Sequence, residues 1–343
     1  MQEIIIGKNE AGQRFDKFLC KYFKEASSSF IYKMLRKKNI ELNSKKATGN
    51  EKLNVGDSVK LFMADDTILK FRGTTAKAST TNNHINKSDA HIKLVKDRIV
   101  YEDENILLLD KPAGILSQKA EPRDISINEM ILEYLIDKKE IFSYELMTFK
   151  PSVCNRLDRN TTGLISFGKT LSGVQALSKG FKDRSFDKYY LAVVWGHITE
   201  ERLIDGYITK DSKSNKVTVT HRQEKDSSPI YTHYQPVKVG HADVAGEHKA
   251  ITLLRIKLIT GKTHQIRAHL ASIGHSILGD DKYGVRNLND TLKKQYSIKY
   301  QLLHSYELHV NEHEENEALS KVRGMTIKAE PDKIYSQIFK ETT

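Results

Sequence analysis

The chain is poor in cysteine, tryptophan and proline, with two, one and six in 343 residues. Two cysteines, Cys20 and Cys154, cannot build a disulfide framework. Such sparing use suits a reducing compartment, so a cytoplasmic protein is expected. No apolar run nears the ~20 residues that span a bilayer. The amino terminus, Met1 to Gly12, has no basic stretch followed by a long apolar one. Neither a membrane anchor nor a secretory signal is therefore expected. A G-x-G-x-x-G turn after a strand and a P-loop are both missing, which sets aside the common nucleotide-cofactor sites. His264, His269, His275 and His304 fit no zinc spacing, and Cys154 has neither a C-x-x-C partner nor a marked Cys–His pairing. No cofactor and no metal are expected.

Positive charge is in excess. Fifty-five Lys and Arg stand against 44 Asp and Glu, a formal net charge of +11. That balance suggests an acidic polymer as partner, nucleic acid first, against the plainer alternative of a protein that is merely basic. The length allows two domains, one with a full-sized core.

Phe15, Phe18, Leu19 and Tyr22 recur at i, i+3, i+4 and i+7, the spacing of one helix face. Ser27, Ser28 and Ser29 offer a cap to a second helix carrying Ile31, Met34 and Leu35. Lys33, Arg36, Lys37 and Lys38 cluster near its end. Ile40 and Leu42 alternate as in a strand, Asn43 opens a turn, and Gly56-Asp57 makes another before Val59 and Leu61. A small α/β module over residues 1–65 is expected, its basic helix end suited to an RNA backbone or simply solvated. Residues 66–93 lose this periodicity and are expected to form a flexible linker. Beyond them, apolar runs at 106–109, 164–169, 188–195 and 251–259 suggest strands buried on both faces. Helices are expected at 126–136, 171–181 and 264–273, the last ended by Gly274. Strands and helices do not alternate strictly, so the expected class is α+β with a mixed or antiparallel central sheet over 94–330, followed by a tail at 331–343.

The segment Asn155 to Gly163 places one carboxylate, Asp158, between Arg156 and Arg159 on a polar turn before an apolar run. This is how a catalytic aspartate on a loop before a buried strand would be written. The segment resembles the R-L-D-x-x-T-S/T-G signature of the RluA family of RNA pseudouridine synthases. Further patches match in the family's order. They are Tyr101 to Gly114, Lys188 to Gly196 with Tyr190 at the key position, Thr260 to Leu270 leading on to Gly279-Asp280 and Tyr283-Gly284, and the short Leu303-His304-Ser305. Residues 13–62 are similar to the small RNA-binding domain called S-four-like. Departures from the family are Ser44 for Gly, Asn155 for His, Thr162 for Ser, Lys262 for Arg and Ser276 for Pro.

The resemblance implies isomerisation of uridine to pseudouridine, with Asp158, Tyr190 and Arg267 as the catalytic set. It places Arg156, Lys188, Thr161, His264 and Gln265 around the substrate, and Arg14, Lys33, Arg36, Lys37 and Lys38 on the RNA. Asp158 would act near C1′ as nucleophile or as counter-charge, and Arg267 would keep it ionised. Tyr190 would stack on uracil and Arg156 would fill the place of an extruded nucleotide. The implied partner is large-subunit ribosomal RNA or a pre-ribosomal particle, met by a monomer. Two rivals stand beside this reading. One is a non-catalytic RNA-binding or ribosome-assembly protein with a decayed site; the other is a carboxylate-dependent glycosidase of small substrates.

Overall fold

The computed structural model of the chain describes residues 1–72, 88–142, 146, 148–211 and 216–339. It opens with β1 (Gln2–Ile5), α1 (Phe15–Tyr22), α2 (Ser28–Arg36), β2 (Ile40–Leu42), β3 (Lys45–Lys46), β4 (Ser58–Leu61) and α3 (Asp65–Arg72). The strands form a four-stranded sheet in the order β1-β4-β2-β3. The two apolar helix faces read from the sequence meet this sheet in one core with Ile40, Val59 and Leu61. Ser27 Oγ caps α2 by accepting from Phe30 N at 3.3 Å. The β2–β3 turn puts Asn43 and Ser44 at φ 52° and 57°, a conformation that Asn tolerates and Ser adopts at a cost. Asn43 meets part of that cost by accepting from Ser58 N at 2.8 Å and donating to Asp57 at 2.9 Å.

The stretch expected as a linker is helical at both ends. α3 seats Ile68 in the first core, and α4 (Asp89–Lys96) seats Ile92 and Val95 in the next. Single apolar residues among charged ones were too thin a pattern to mark these helices. The middle of the expected linker, 73–87, lies outside the described residues.

The larger unit continues with β5 (Ile99–Glu102), β6 (Ile106–Lys111), α5 (Ile127–Asp137), β7 (Ser152–Val153), β8 (Thr162–Gly168), α6 (Leu171–Asp183) and β9 (Phe186–Trp195). Then come β10 (Arg202–Asp211), β11 (Lys216–Thr220), β12 (Ser228–Val244), β13 (Glu247–Leu258), α7 (Gln265–Ser272) and α8 (Arg286–Tyr296). β14 (Leu303–Val310), a 3-10 turn (Glu317–Val322), β15 (Thr326–Lys328) and α9 (Ile334–Gln337) complete it. The sheet runs β11-β10-β12-β13-β9-β14-β8-β6-β5, with β15 beside β14 and β7 beside β8. Among the described residues β14–β8 is its one parallel pair, so the sheet is mixed, and the fold is α+β as expected.

Both faces of the sheet are covered, which is why its central strands read as unbroken apolar runs. On β6, Leu107 and Leu109 face α5 while Ile106 and Leu108 face α6. On β9, Tyr190, Ala192 and Val194 face α7, and Leu191, Val193 and Trp195 face α8 and α9. The segment expected as a tail from 331 is therefore part of the core: Tyr335, Ile338 and Phe339 pack under β9. Its four-residue helix is too short to announce itself by periodicity and is held by a sheet face made elsewhere in the chain. No helix among the described residues is long and apolar enough to cross a membrane.

Candidate active site

The Asp158 loop is pinned from several sides before any charge is considered. Asn155 bridges to β8, donating to Leu164 O at 3.3 Å and accepting from Ser166 N at 2.7 Å. Ser117 Oγ donates to Leu157 O at 2.8 Å and accepts from Leu157 N at 2.9 Å, while the Leu157 side chain is buried against β9 and α7. Thr161 N donates to Asp158 O at 3.1 Å and closes the turn. Beneath it lies Lys111, fully buried at the end of β6. Its ammonium donates to Pro112 O, Ile115 O and Arg159 O at 2.8, 2.9 and 3.0 Å. Burial drives its pKa down to about 7, against the pull of Asp158 and Asp110. The three carbonyls use all three ammonium protons, so the charged form is the one the loop is built around. The leucine turns inward, and the flanking Arg156 and Arg159 face solvent.

The α7 helix supplies the counter-charge. Arg267 Nη1 donates to Asp158 Oδ2 at 2.7 Å. Its other edge is held bidentately by Asp280, Nε to Oδ2 at 2.7 Å and Nη2 to Oδ1 at 2.8 Å. Asp280 is fully buried and also accepts from the backbone N–H groups of Lys282 and Tyr283. Burial opposes the guanidinium charge, but Asp280 and then Asp158 outweigh it and push its pKa up. Burial likewise opposes the Asp280 carboxylate, and Arg267 with the two backbone donors brings its pKa below the usual range. An arginine gripped along one edge cannot rotate, so its remaining nitrogen presents a fixed donor to Asp158.

His264 sits at φ 52° before α7, with Nε2 3.9 Å from Asp158 Oδ2. Its Nδ1 lies 2.9 Å from Tyr283 Oη, which accepts from Val217 N at 3.0 Å. The contact to Tyr283 fixes the ring with its Nε2 edge toward Asp158. Burial lowers the His264 pKa; Asp158 opposes the shift, and Arg267 and Lys282 add to it.

Tyr190 of β9 is buried, and its hydroxyl is hydrogen-bonded to Ser305 of β14. Burial pushes its pKa up to about 12, with Asp158 adding to the shift, so it is a neutral phenol at pH 7. Gly163, at φ 102°, lets β14 come this close: a side chain there would fall on the Ser305 backbone. Asp158, Arg267, His264 and Tyr190 all line a cleft of about 1140 Å³. Nine further lysines and arginines line it, and Asp158 is its one carboxylate among the described residues.

Of the residues expected around the substrate, Arg156, Lys188 and His264 line this cleft. Thr161 and Gln265 are buried, and both line a smaller pocket of about 90 Å³ that shares Asp158, Tyr190, His264 and Arg267 with the cleft. Thr161 Oγ1 accepts from Gln301 at 3.2 Å. Gln265 bonds to Thr260, Lys262 N, Tyr231 O and Thr232, so its amide holds the start of α7 to β12. On the first module Lys33, Arg36, Lys37 and Lys38 are exposed at the end of α2. Arg14 is engaged with Asp16 at 2.8 Å and with Asn50 at 2.8 Å. Tyr189, the next residue along β9, faces away from Tyr190 and lies under Arg255 at 3.6 Å. Sequence reasoning gave no role to Lys111, Asp280 or Tyr283. Each stands in a patch that matches the family, and that was the signal for them.

A family profile described as RNA pseudouridylate synthase matches residues 105–272, a span that takes in Asp158, Tyr190 and Arg267. An uncharacterized RNA pseudouridine synthase of Mycoplasma genitalium is 30% identical over 309 residues, covering 89% of this chain and 88% of that protein. Ribosomal large subunit pseudouridine synthase C of Vibrio vulnificus is 28% identical over 306 residues, covering 89% of this chain and 87% of its own. Among solved structures, human RNA pseudouridylate synthase domain containing 4 shares the fold with a TM-score of 0.52 at 21% identity, over 72% of this chain and 93% of that one. With the fold and this similarity across most of its length, the chain belongs to the RluA family of RNA pseudouridine synthases.

Proposed function

We propose that this enzyme converts uridine to pseudouridine in large-subunit ribosomal RNA, using Asp158 on a nucleotide swung out of its helix. One observation carries the reading: a lone carboxylate, backed by a clamped arginine, in a cleft whose other charged lining residues among the described residues are lysines and arginines. The cations suit a polyanion, and the carboxylate suits a sugar carbon that gains positive charge as its bond to N1 breaks. Several relatives are named as large-subunit enzymes of the C and D types, which points to the same RNA class.

The reaction is an isomerisation. The N1–C1′ bond breaks, the base turns, C5 bonds to C1′, the C5 proton leaves and N1 takes one up. Asp158 acts at C1′ as nucleophile or counter-charge. Arg267 pairs with it at 2.7 Å and fixes its direction. Tyr190 lies under the uracil and offers a hydroxyl proton. Exposed Arg156, beside the aspartate, enters the vacated place in the RNA. The basic end of α2 supplies a second, tethered RNA surface, which raises effective affinity for a large folded substrate. One chain builds the whole cleft, so a monomer suffices.

The test uses RNA carrying tritium at uracil C5, because that hydrogen is released only when C5 bonds to C1′. Wild type should release tritium from large-subunit ribosomal RNA. Asp158→Asn should bind the RNA and release none. Equal release by both would defeat the assignment of Asp158. Release from free nucleosides but not from RNA would favour a small-substrate enzyme.

A further inference from the structure

Lys188 lies two residues before Tyr190, on the same face of β9, and both line the cleft. Two strand residues span about 6.7 Å, the reach from the base of a nucleotide to its own backbone phosphate. Lys188 has no carboxylate to pair with among the described residues. Its neighbour Asp187 is on the opposite face, bonded to Lys257 at 2.7 Å. The Lys188 ammonium stands 5.8 Å above the ring of Phe181, and that ring is fixed edge-on against Phe186. Across the cleft is Gly261, where an added Cβ would come within 3.8 Å of the ammonium. A second cation, Arg184, is exposed at the end of α6 with φ 65°. Burial and Arg184 both lower the Lys188 pKa, and Asp187 opposes them.

Both cations line the cleft and neither makes an ion pair among the described residues, an arrangement that folding alone does not favour because each raises the cost of the other's charge. The strand and Phe181 nevertheless hold Lys188 in place. Bound anion would remove the cost. We propose that Lys188 and Arg184 seat one phosphodiester of the RNA, immediately flanking the nucleotide whose base lies on Tyr190. This rests on the cleft being the RNA site and names the group each cation takes. An ammonium has three donors and no acceptor, so it suits phosphate oxygens and carries no base preference. The seat sets the register of the backbone, and through it brings C1′ to Asp158.

The probe is a hairpin of large-subunit ribosomal RNA around one mapped target uridine. It is made with normal linkages and with a neutral methylphosphonate at the linkage 5′ or 3′ of the target. Wild type should bind one of the two substituted hairpins roughly tenfold less tightly than the normal one. Lys188→Gln should bind the normal hairpin with the same loss, should be indifferent to that one methylphosphonate, and should show a salt slope smaller by about one. Its KM should rise, and kcat at saturation should fall with it, because C1′ is then less well placed at Asp158. Lys188→Arg should restore sensitivity to the linkage. Wild type that tolerates both methylphosphonates, or a penalty of equal size in wild type and Lys188→Gln, would overturn the proposal. If Lys188→Gln does not fold, wild type and Lys188→Arg on the three hairpins still decide it. Absence of tritium release by wild type would instead count against the proposed function.

Discussion

Asp280 grips Arg267 by Nε and Nη2, at 2.7 and 2.8 Å, and leaves Nη1 to Asp158. The Asp158 carboxylate is thus oriented at one remove by a second carboxylate that lines no part of the cleft. Asp280→Asn should leave a buried guanidinium half unpaired and cost about 3–5 kcal/mol of stability. Urea unfolding measures that loss, and tritium release should fall with it. A loss below about 1 kcal/mol, at the level of an ordinary hydrogen bond, would mean that Arg267 is held by something other than Asp280.

Lys111 does a similar job for the backbone. Lys111→Met keeps the length of the side chain and removes its three donors, leaving three carbonyls to be satisfied in a buried place. At roughly 1–3 kcal/mol for each orphaned group, the expected loss is several kcal/mol. Because Arg159 O is one of the three, turnover per folded molecule should also fall. A stable variant of full activity would show that the loop is held without Lys111.

Tyr190→Phe keeps the ring in the core and deletes the hydroxyl bonded to Ser305. Stability should change by about 1 kcal/mol. If the hydroxyl transfers a proton, kcat should fall by on the order of 10²-fold or more with KM little changed. The pKa of about 12 places the ionisation of Tyr190 far above neutrality, so wild-type activity should show no alkaline loss from this group below pH 11. A kcat equal to wild type would leave Tyr190 only its stacking surface.

Three histidines, His264, His269 and His304, have pKa values lowered by burial from 6.5. The unfolded chain therefore binds their protons at higher pH than the folded one does. From pH 6.5 downward stability should fall as the pH falls, at up to about 1.4 kcal/mol per pH unit for each histidine. His304 bonds to Thr162 at 2.8 Å and to the Ala329 carbonyl at 2.7 Å, and its burial disfavours the charged ring. His304→Gln should lower stability at pH 7.5 and flatten its acid slope between pH 6.5 and 5. An unchanged slope would assign the acid sensitivity to other groups.

Much of this was legible in one dimension. The spacing of Phe15, Phe18, Leu19 and Tyr22 sufficed for α1, and Ile266 and Leu270 for α7, because a helix repeats within reach of its own side chains. The apolar run at 188–195 marked β9, and its alternation put Tyr189 and Tyr190 on opposite faces. Short elements without a repeat of their own were not legible. α9 and the two residues after it, which bury Tyr335, Ile338 and Phe339, read as a tail until β9 gives them a surface. Gln265 and Thr161 belong to matching patches, and only their neighbours reveal that they brace the loop and helix from within.

Local periodicity and residue chemistry, both written along the chain, determined which segments would be helices or strands and that Asp158 sat in a loop able to carry a reaction. What the aspartate faces was decided by tertiary structure. Arg267 lies 109 residues away and Asp280 a further 13 beyond it, yet the three share one chain of hydrogen bonds at 2.7 and 2.8 Å. The orientation of a carboxylate depends on such close neighbours, which have no period that a sequence can display.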